Sequence, residues 1–506
     1  MTPPETFPDL LNVGNNTDIA LAGENKSPMR YAALRSLCRT TAADLATHGV
    51  GRNDRVAIVL NNGPVMAAAF LAFAASAVTA PLNPAYRADE FRFYLDDVRA
   101  KILILEKGDD SPARAVAAEL GIPVVDLSAV AEGPVGAFAL SPGTRPAKSG
   151  MAPTPDDVAL ILHTSGTTSR PKIVPLTQRN ICMSAHNIAN VLGLTPQDRS
   201  LNIMPLFHIH GLIGAILSSL SAGASIWCAP GFNALRFFAW MADAQPSWYT
   251  AVPTMHQAIL IRAARNREII DQAGLRLIRS SSSSLSTQVM AALEETFGCP
   301  VIESYGMTEA AHQMASNLLP PGARKPGTVG IAAGPEVAVL DGGNEPVPVG
   351  DVGEVCIRGA NVTPGYEANP AANAEAFAGG WFHTGDQGHM DPEGYLTITG
   401  RLKEIINRGG EKISPREVDE ILLNHPAVAQ AVTFALPHDK LGEEVAAAVV
   451  AIKGETVDEG DLRDFVAERL AHFKVPRKVV VLEEIPKGAT GKIQRIGMHE
   501  KLADHL

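Results

Sequence analysis

Cysteine is scarce in this chain and scattered where it occurs: Cys38, Cys182, Cys228, Cys299 and Cys356 are the five among 506 residues, with no CxxC pair and no histidine at metal-ligand spacing. That excludes a disulfide-stapled secreted framework and predicts reduced thiols in a cytoplasmic chain. Positive charge is in deficit as well. With 43 Lys+Arg against 54 Asp+Glu the net charge is -11, which argues against a broad nucleic-acid surface or an anionic-membrane surface and leaves room only for a local basic pocket. Membrane-length apolar runs are missing too: VMAAAFLAFAASAVTA, Val65 to Ala80, is 16 residues without a charge, alanine-rich and closed by Pro81. A span needs about 20 residues, so a buried helix leading into a strand is predicted. The opening MTPPETFPDL has neither a basic n-region nor an apolar h-region, and the terminal ADHL is no peroxisomal address, so the chain is expected to stay in the cytoplasm.

What is present suits a large α/β protein. Hydrophobic residues make up 46% of the chain and mean hydropathy is +0.06, enough apolar surface for more than one core. Short apolar runs such as RVAIVL, KILIL and VALIL alternate with alanine-rich helical stretches, the pattern of strands buried on both faces. From about Ala333 the texture changes to short strands punctuated by Asp-Gly, Gly-Gly and Val-Gly, a β-rich subdomain over about 333–400. After GRLKEIINRGGEKISP the order becomes helix, strand, strand, helix, strand, which predicts a compact α+β domain over 402–506 behind an N-terminal domain of 1–401.

The stretch ILHTSGTTSRPK concentrates small polar residues after an apolar run: Thr164, Ser165, Gly166, Thr167, Thr168 and Ser169, closed by Arg170 and Lys172. In a strand-to-helix turn, backbone amides and hydroxyls can surround a phosphate while lysine adds mobile charge. It is no Walker A loop, which needs a second glycine before the lysine and a hydroxyl after it; Ile173 follows Lys172 here.

This loop is followed, in order, by ESYGMTEA, WFHTGDQG, GRLKEIINRGGEKISPRE and PKGATGKIQR. The five motifs together resemble the acyl-adenylate-forming superfamily, over nearly the whole chain. The resemblance implies a large N-terminal domain, a small mobile C-terminal domain, and two half-reactions using ATP, CoA and Mg2+: a carboxylate and ATP give acyl-AMP, and the acyl group then passes to a thiol. It also implies roles for particular residues. Lys492 bridges the carboxylate and the α-phosphate, Thr308 and Glu309 contact phosphate and magnesium, and Tyr305, beside Ser304, stacks on adenine. Asp386 accepts the ribose hydroxyls with Arg401 assisting. Lys403 is the hinge, and the loop with Gly409, Gly410 and Lys412 approaches the CoA arm. Ser169 and Ile173 stand where many members have glycine, and β-branched Ile173 is barred from the left-handed backbone a glycine could use.

The acid is read from the residues expected around the acyl pocket. SSSSSL, Ser280 to Leu285, replaces the small apolar residues of fatty-acyl and aryl ligases, His312 follows the magnesium motif, and His208 and His210 lie in PLFHIHGL. Methylenes gain about 0.8 kcal/mol each only in apolar surroundings, so this pocket suits a short polar acid. HTSGTTSRPK, WYTAVPTMHQ and LRLIRSSSSSL resemble the oxalate-CoA ligase branch, which implies that Ser281 or its neighbour Ser282, with His312, holds the distal carboxylate while Trp248 and His208 close the pocket. Arg279 is a candidate counter-ion that strand geometry could turn away from its serine neighbour. Two alternatives stand beside this reading: a medium-chain fatty acyl-CoA synthetase, and a carrier-loading or nucleotide-binding module, against which the chain keeps Lys492 and ends at Leu506 without a carrier domain.

Overall fold

The computed structural model describes residues 3–146, 152–164, 171–486 and 493–506. Apolar runs flanked by alanine-rich helices bury strands on both faces, and the chain uses them for two mostly parallel sheets. The first has seven strands in the order Phe138–Leu140, Val124–Ala129, Ile102–Glu106, Arg55–Val59, Val78–Pro81, Val158–His163 and Ile173–Thr177, antiparallel only at its two edges. The uncharged run from Val65 forms the helix Pro64–Ala74, buried on every side from Met66 onward, and continues into the strand Val78–Pro81. Among the described residues no helix is long and apolar enough to cross a membrane.

The second sheet has nine strands: Ile331–Ala332, His312–Ser316, Val301–Met307, Leu277–Ser280, Trp248–Ala251, Arg199–Asn202, Ser225–Cys228, Ile19–Ala22 and Met29–Arg30. Its middle is parallel and its ends antiparallel. One face packs on an apolar core containing Tyr249, Ala251, Ile278 and Val301. Because side chains alternate along a strand, the pairings of Thr250 with Arg279 and of Arg279 with Ile302 put Trp248, Thr250 and Arg279 on the opposite face.

By Cα proximity the chain divides into two units, one of residues 1–164, 172–337 and 357–374, the other chiefly of 338–356 and 375–506. The second unit holds most of the β-rich segment, a four-stranded sheet of Glu336–Leu340, Gly353–Arg358, Phe382–Met390 and Leu396–Arg401. It also holds a five-stranded sheet in which Val428–His438 and Gly442–Ala451 form the long antiparallel centre, joined by Lys478–Leu482 in parallel. Helices Pro415–Leu423 and Glu459–Ala467 complete the helix, strand, strand, helix, strand order read from the sequence.

One local expectation is corrected. The polar loop after Val158–His163 leads to a second strand, Ile173–Thr177, which pairs antiparallel with the first, and the helix Gln178–Val191 starts only after it. Ile173 is therefore extended, pairs with His163 and is buried. A β-branched residue suits that position, so the missing glycine costs nothing there.

Candidate functional site

The acyl-pocket candidates in the first unit converge on the polar face of the nine-stranded sheet. His210 opens a π-helical segment, His210–Leu217, a geometry that recurs at functional sites. One ring nitrogen of His210 lies 2.6 Å from Thr250 Oγ1 and the other 3.0 Å from Ser282 Oγ. Its ring stacks on His312 with centroids 4.8 Å apart. That stacking requires Gly214, because a Cβ there would sit 2.8 Å from the His312 ring. Burial, followed by the neighbouring histidine and Arg279, holds His210 well below the ordinary histidine pKa; burial and then Arg279 do the same to His312. Both shifts favour the neutral ring.

Arg279 does turn away from Ser280, and its guanidinium instead reaches His312 Nε2 at 3.0 Å and Gln313 Oε1 at 2.9 Å. Ser281 is fully buried and its hydroxyl donates to the Ser304 carbonyl at 3.0 Å, whereas Ser282 is exposed. Two of these residues hold left-handed backbone without being glycine, Ser282 at φ 71° and His312 at φ 95°. Each costs on the order of 1 kcal/mol, and such strain concentrates at binding sites. Trp248 is fully buried, and His208 is partly exposed beside Phe207. Trp248 Nε1, Arg279 Nε and Gln313 Nε2 are buried polar atoms without a hydrogen-bond partner among the described residues, which marks this face as built for something polar.

The described phosphate and metal candidates Thr164, Lys172, Thr308 and Glu309 lie in the same unit. Thr308 and Glu309 form a single 3-10 turn after the strand carrying Ser304 and the partly buried Tyr305. The buried Glu309 carboxylate accepts from the Tyr366 hydroxyl at 2.8 Å, and Lys172 Nζ sits 4.3 Å above the Tyr366 ring. Across the loop, the Thr164 amide donates to the Lys172 carbonyl at 3.0 Å. One carboxylate beside a phenol is an all-oxygen set that fits Mg2+, which takes few protein ligands and completes its shell with phosphate oxygens and water. Tyr366→Phe keeps the ring under Lys172 but removes the hydroxyl from a buried carboxylate. It is expected to cost about 1–3 kcal/mol of stability and to raise the Mg2+ concentration needed for half-maximal activity, measured by thermal melts and magnesium titration. An unchanged magnesium requirement would detach Tyr366 from that role.

In the second unit, strand register places Asp386 opposite Arg401, whose Nε donates to Asp386 Oδ1 at 3.0 Å. Asp386 is 5% exposed. The turn before it is clamped by Glu354, which accepts from His383 Nδ1 at 2.8 Å and from the Gly385 amide at 2.9 Å. Cys356 Sγ lies 3.4 Å from the same ring nitrogen. Burial pushes the Cys356 thiol up to about 12, so it stays protonated, and the trio acts as a hydrogen-bonded clamp. Lys403 is exposed in the turn Leu402–Glu404. Gly409 and Gly410 make the tight turn of a hairpin whose second strand, Glu411–Ile413, carries the exposed Lys412.

Ser165, Gly166, Thr167, Thr168 and Lys492 lie outside the described residues. Sequence reasoning missed Tyr366, Gln313, Thr250 and the clamp of Glu354 and His383. Tyr366 is 57 residues from its partner Glu309, and no local spacing announces such a pairing.

The AMP-binding enzyme family matches residues 14–367, and the AMP-binding enzyme C-terminal domain matches residues 417–492. Oxalate–CoA ligase from Arabidopsis thaliana is 47% identical over 94% of this chain and 94% of its own length. Oxalate–CoA ligase from Saccharomyces cerevisiae is 45% identical over 90% of this chain and 88% of its own length. Among solved structures, ATP-bound MatB from Rhodopseudomonas palustris superposes with a TM-score of 0.88 at 29% identity, covering 98% of both chains. The chain belongs to the AMP-binding enzyme family.

Proposed function

We propose that this protein is an AMP-forming carboxylate–CoA ligase whose acid is oxalate, converting oxalate, ATP and CoA to oxalyl-CoA, AMP and diphosphate. The observation that carries the acid is the polar sheet face in which Arg279, His312, His210, Thr250 and Ser282 converge. Two oxalate–CoA ligases resemble the chain over nearly their whole length. A medium-chain acid would press methylenes against these groups and forfeit about 0.8 kcal/mol for each one not buried in apolar surroundings.

In the first half-reaction a carboxylate oxygen attacks the α-phosphorus and diphosphate leaves. Reactant and triphosphate are both anions, so Lys172 and Lys492 are assigned to neutralise charge and hold the pair in line. Mg2+ bound at Glu309 would offset charge on the departing phosphates. Asp386 and Arg401 are assigned to the ribose, Tyr305 to the adenine, and Ser282 with His312 to the distal carboxylate. In the second half-reaction the CoA sulfur attacks the acyl carbon and AMP leaves with the electron pair. We further propose that residues 402–506 turn about Lys403 between the two steps, bringing the Gly409–Gly410 turn to the CoA arm. Five buried unpaired thiols suit a reducing cytoplasm.

The test is an assay of AMP and acyl-CoA release with ATP, magnesium and CoA across oxalate, malonate, acetate, hexanoate, laurate and an aromatic acid. Oxalate is expected to turn over far above the others. Preference for hexanoate or laurate would overturn the acid assignment and keep the adenylation chemistry. ATP–diphosphate exchange without any CoA ester would point to a carrier-loading module.

A further inference from the structure

Arg279 is fully buried, and its partners among the described residues, His312 and Gln313, are both neutral. Among the described residues its Nε has no hydrogen-bond partner and no ion pair reaches it. Burial lowers its pKa to about 9, which still leaves a cation at neutral pH. An uncompensated buried charge is costly to a fold, so its retention here calls for a counter-charge that the described residues do not supply. The surroundings are built to hold it in place: Gln313 is anchored by its own amide to Ser184 Oγ at 3.2 Å, and the Gln313 carbonyl accepts from Asn361 Nδ2 at 2.8 Å.

A guanidinium carries donors only. The 3.0 Å contact from Arg279 Nη1 therefore makes His312 Nε2 an acceptor, and the ring proton of the neutral imidazole must sit on Nδ1. That nitrogen faces the strand carrying Ser304 and Tyr305, since a Cβ on Gly306 would come within 3.3 Å of it. Donor chains of this kind strengthen one another in a low-dielectric interior.

We infer that Arg279 is a positioning residue for the acid substrate: acting through His312, it fixes the Nδ1–H tautomer as the donor to the second carboxylate and sets an unneutralised positive charge behind it. The site then selects dianionic acids over monoanions of the same size. This rests on the dicarboxylate reading above and adds to it the source of the charge, which neither neutral histidine nor any serine can provide.

The experiment compares wild type with Arg279→Met, Arg279→Gln and Arg279→Lys for kcat and KM on oxalate, on the monoanions glycolate and glyoxylate, and on ATP, with thermal melts as the folding control. Arg279→Met is expected to raise the KM for oxalate by about 10- to 100-fold, to leave the KM for ATP within about twofold, and to shift selectivity toward the monoanions. Arg279→Lys is expected to recover most of the oxalate KM, and Arg279→Gln, which keeps a donor without the charge, to recover little. If Arg279→Met does not fold, the lysine and glutamine variants decide the matter by the same contrast. An unchanged oxalate KM in folded variants, or equal losses on oxalate, monoanions and ATP, would overturn the proposal. Should wild type ignore oxalate and use another dianion such as malonate, the oxalate assignment falls and the variants are read on that acid. Should it use monoanions alone, both readings fall.

Discussion

Lys492→Ala is expected to lower acyl-adenylate formation by about a thousandfold and to leave thioester formation from supplied acyl-AMP nearly intact, the upper end of what removing one electrostatic contact to a transition state costs. The asymmetry follows from charge. In the adenylation step a carboxylate must approach a triphosphate, and a lysine between them screens the repulsion as the new oxygen–phosphorus bond forms. In the thioester step the acyl-AMP is already made, and its leaving group needs no cation between two reacting anions. The measurement is ATP–diphosphate exchange for the first half and single-turnover CoA-ester formation from synthetic acyl-AMP for the second. Equal loss in both halves, with an unchanged thermal melt, would remove Lys492 from the adenylation role.

His312→Ala is the second large effect. It deletes the proposed donor to the distal carboxylate, and hydrogen bonds to charged groups are worth about 1.5–3 kcal/mol. The KM for oxalate should rise by about 10- to 100-fold, while the KM for ATP should be unchanged because the ring stacks on His210 and bonds to Arg279, both in the polar cluster proposed for the acid. Stability should fall as well, since Arg279 Nη1 loses its acceptor and is left buried. His312→Gln, which can both accept from Arg279 and donate onward, is expected to recover part of the affinity and part of the stability. Equal changes in KM for oxalate and ATP would refute the pocket assignment.

The residues proposed for the nucleotide were legible as motifs because such signals are local. Ser304, Tyr305, Thr308 and Glu309 occupy one strand and the turn that follows it, and Asp386 sits in a short glycine-marked stretch. The pocket proposed for the acid was legible in its polar residues and illegible in how they connect. The serine run was visible, yet which hydroxyl remains available depends on backbone direction: Ser281 is buried against the Ser304 carbonyl, and left-handed Ser282 is exposed beside His210. The phosphate loop was read as leading to a helix because small polar residues before a helix start are common. The antiparallel return of Ile173–Thr177 to Val158–His163 is a pairing that local composition does not announce.

By itself the sequence determined the classes of element, the buried helix at Pro64–Ala74, the nucleotide motifs and the polar residues proposed to line the acid pocket, because periodicity and motif spacing act over short stretches of chain. Only the tertiary structure decided that Arg279 meets His312 and Gln313, that Tyr366 meets Glu309, and that Glu354 braces the turn before Asp386. The partners in these pairs lie between 29 and 57 residues apart in the chain. Which of them touch is set by strand order and register in sheets whose neighbours are distant in sequence, and a shift of one residue in that register would turn Arg279 into the apolar core.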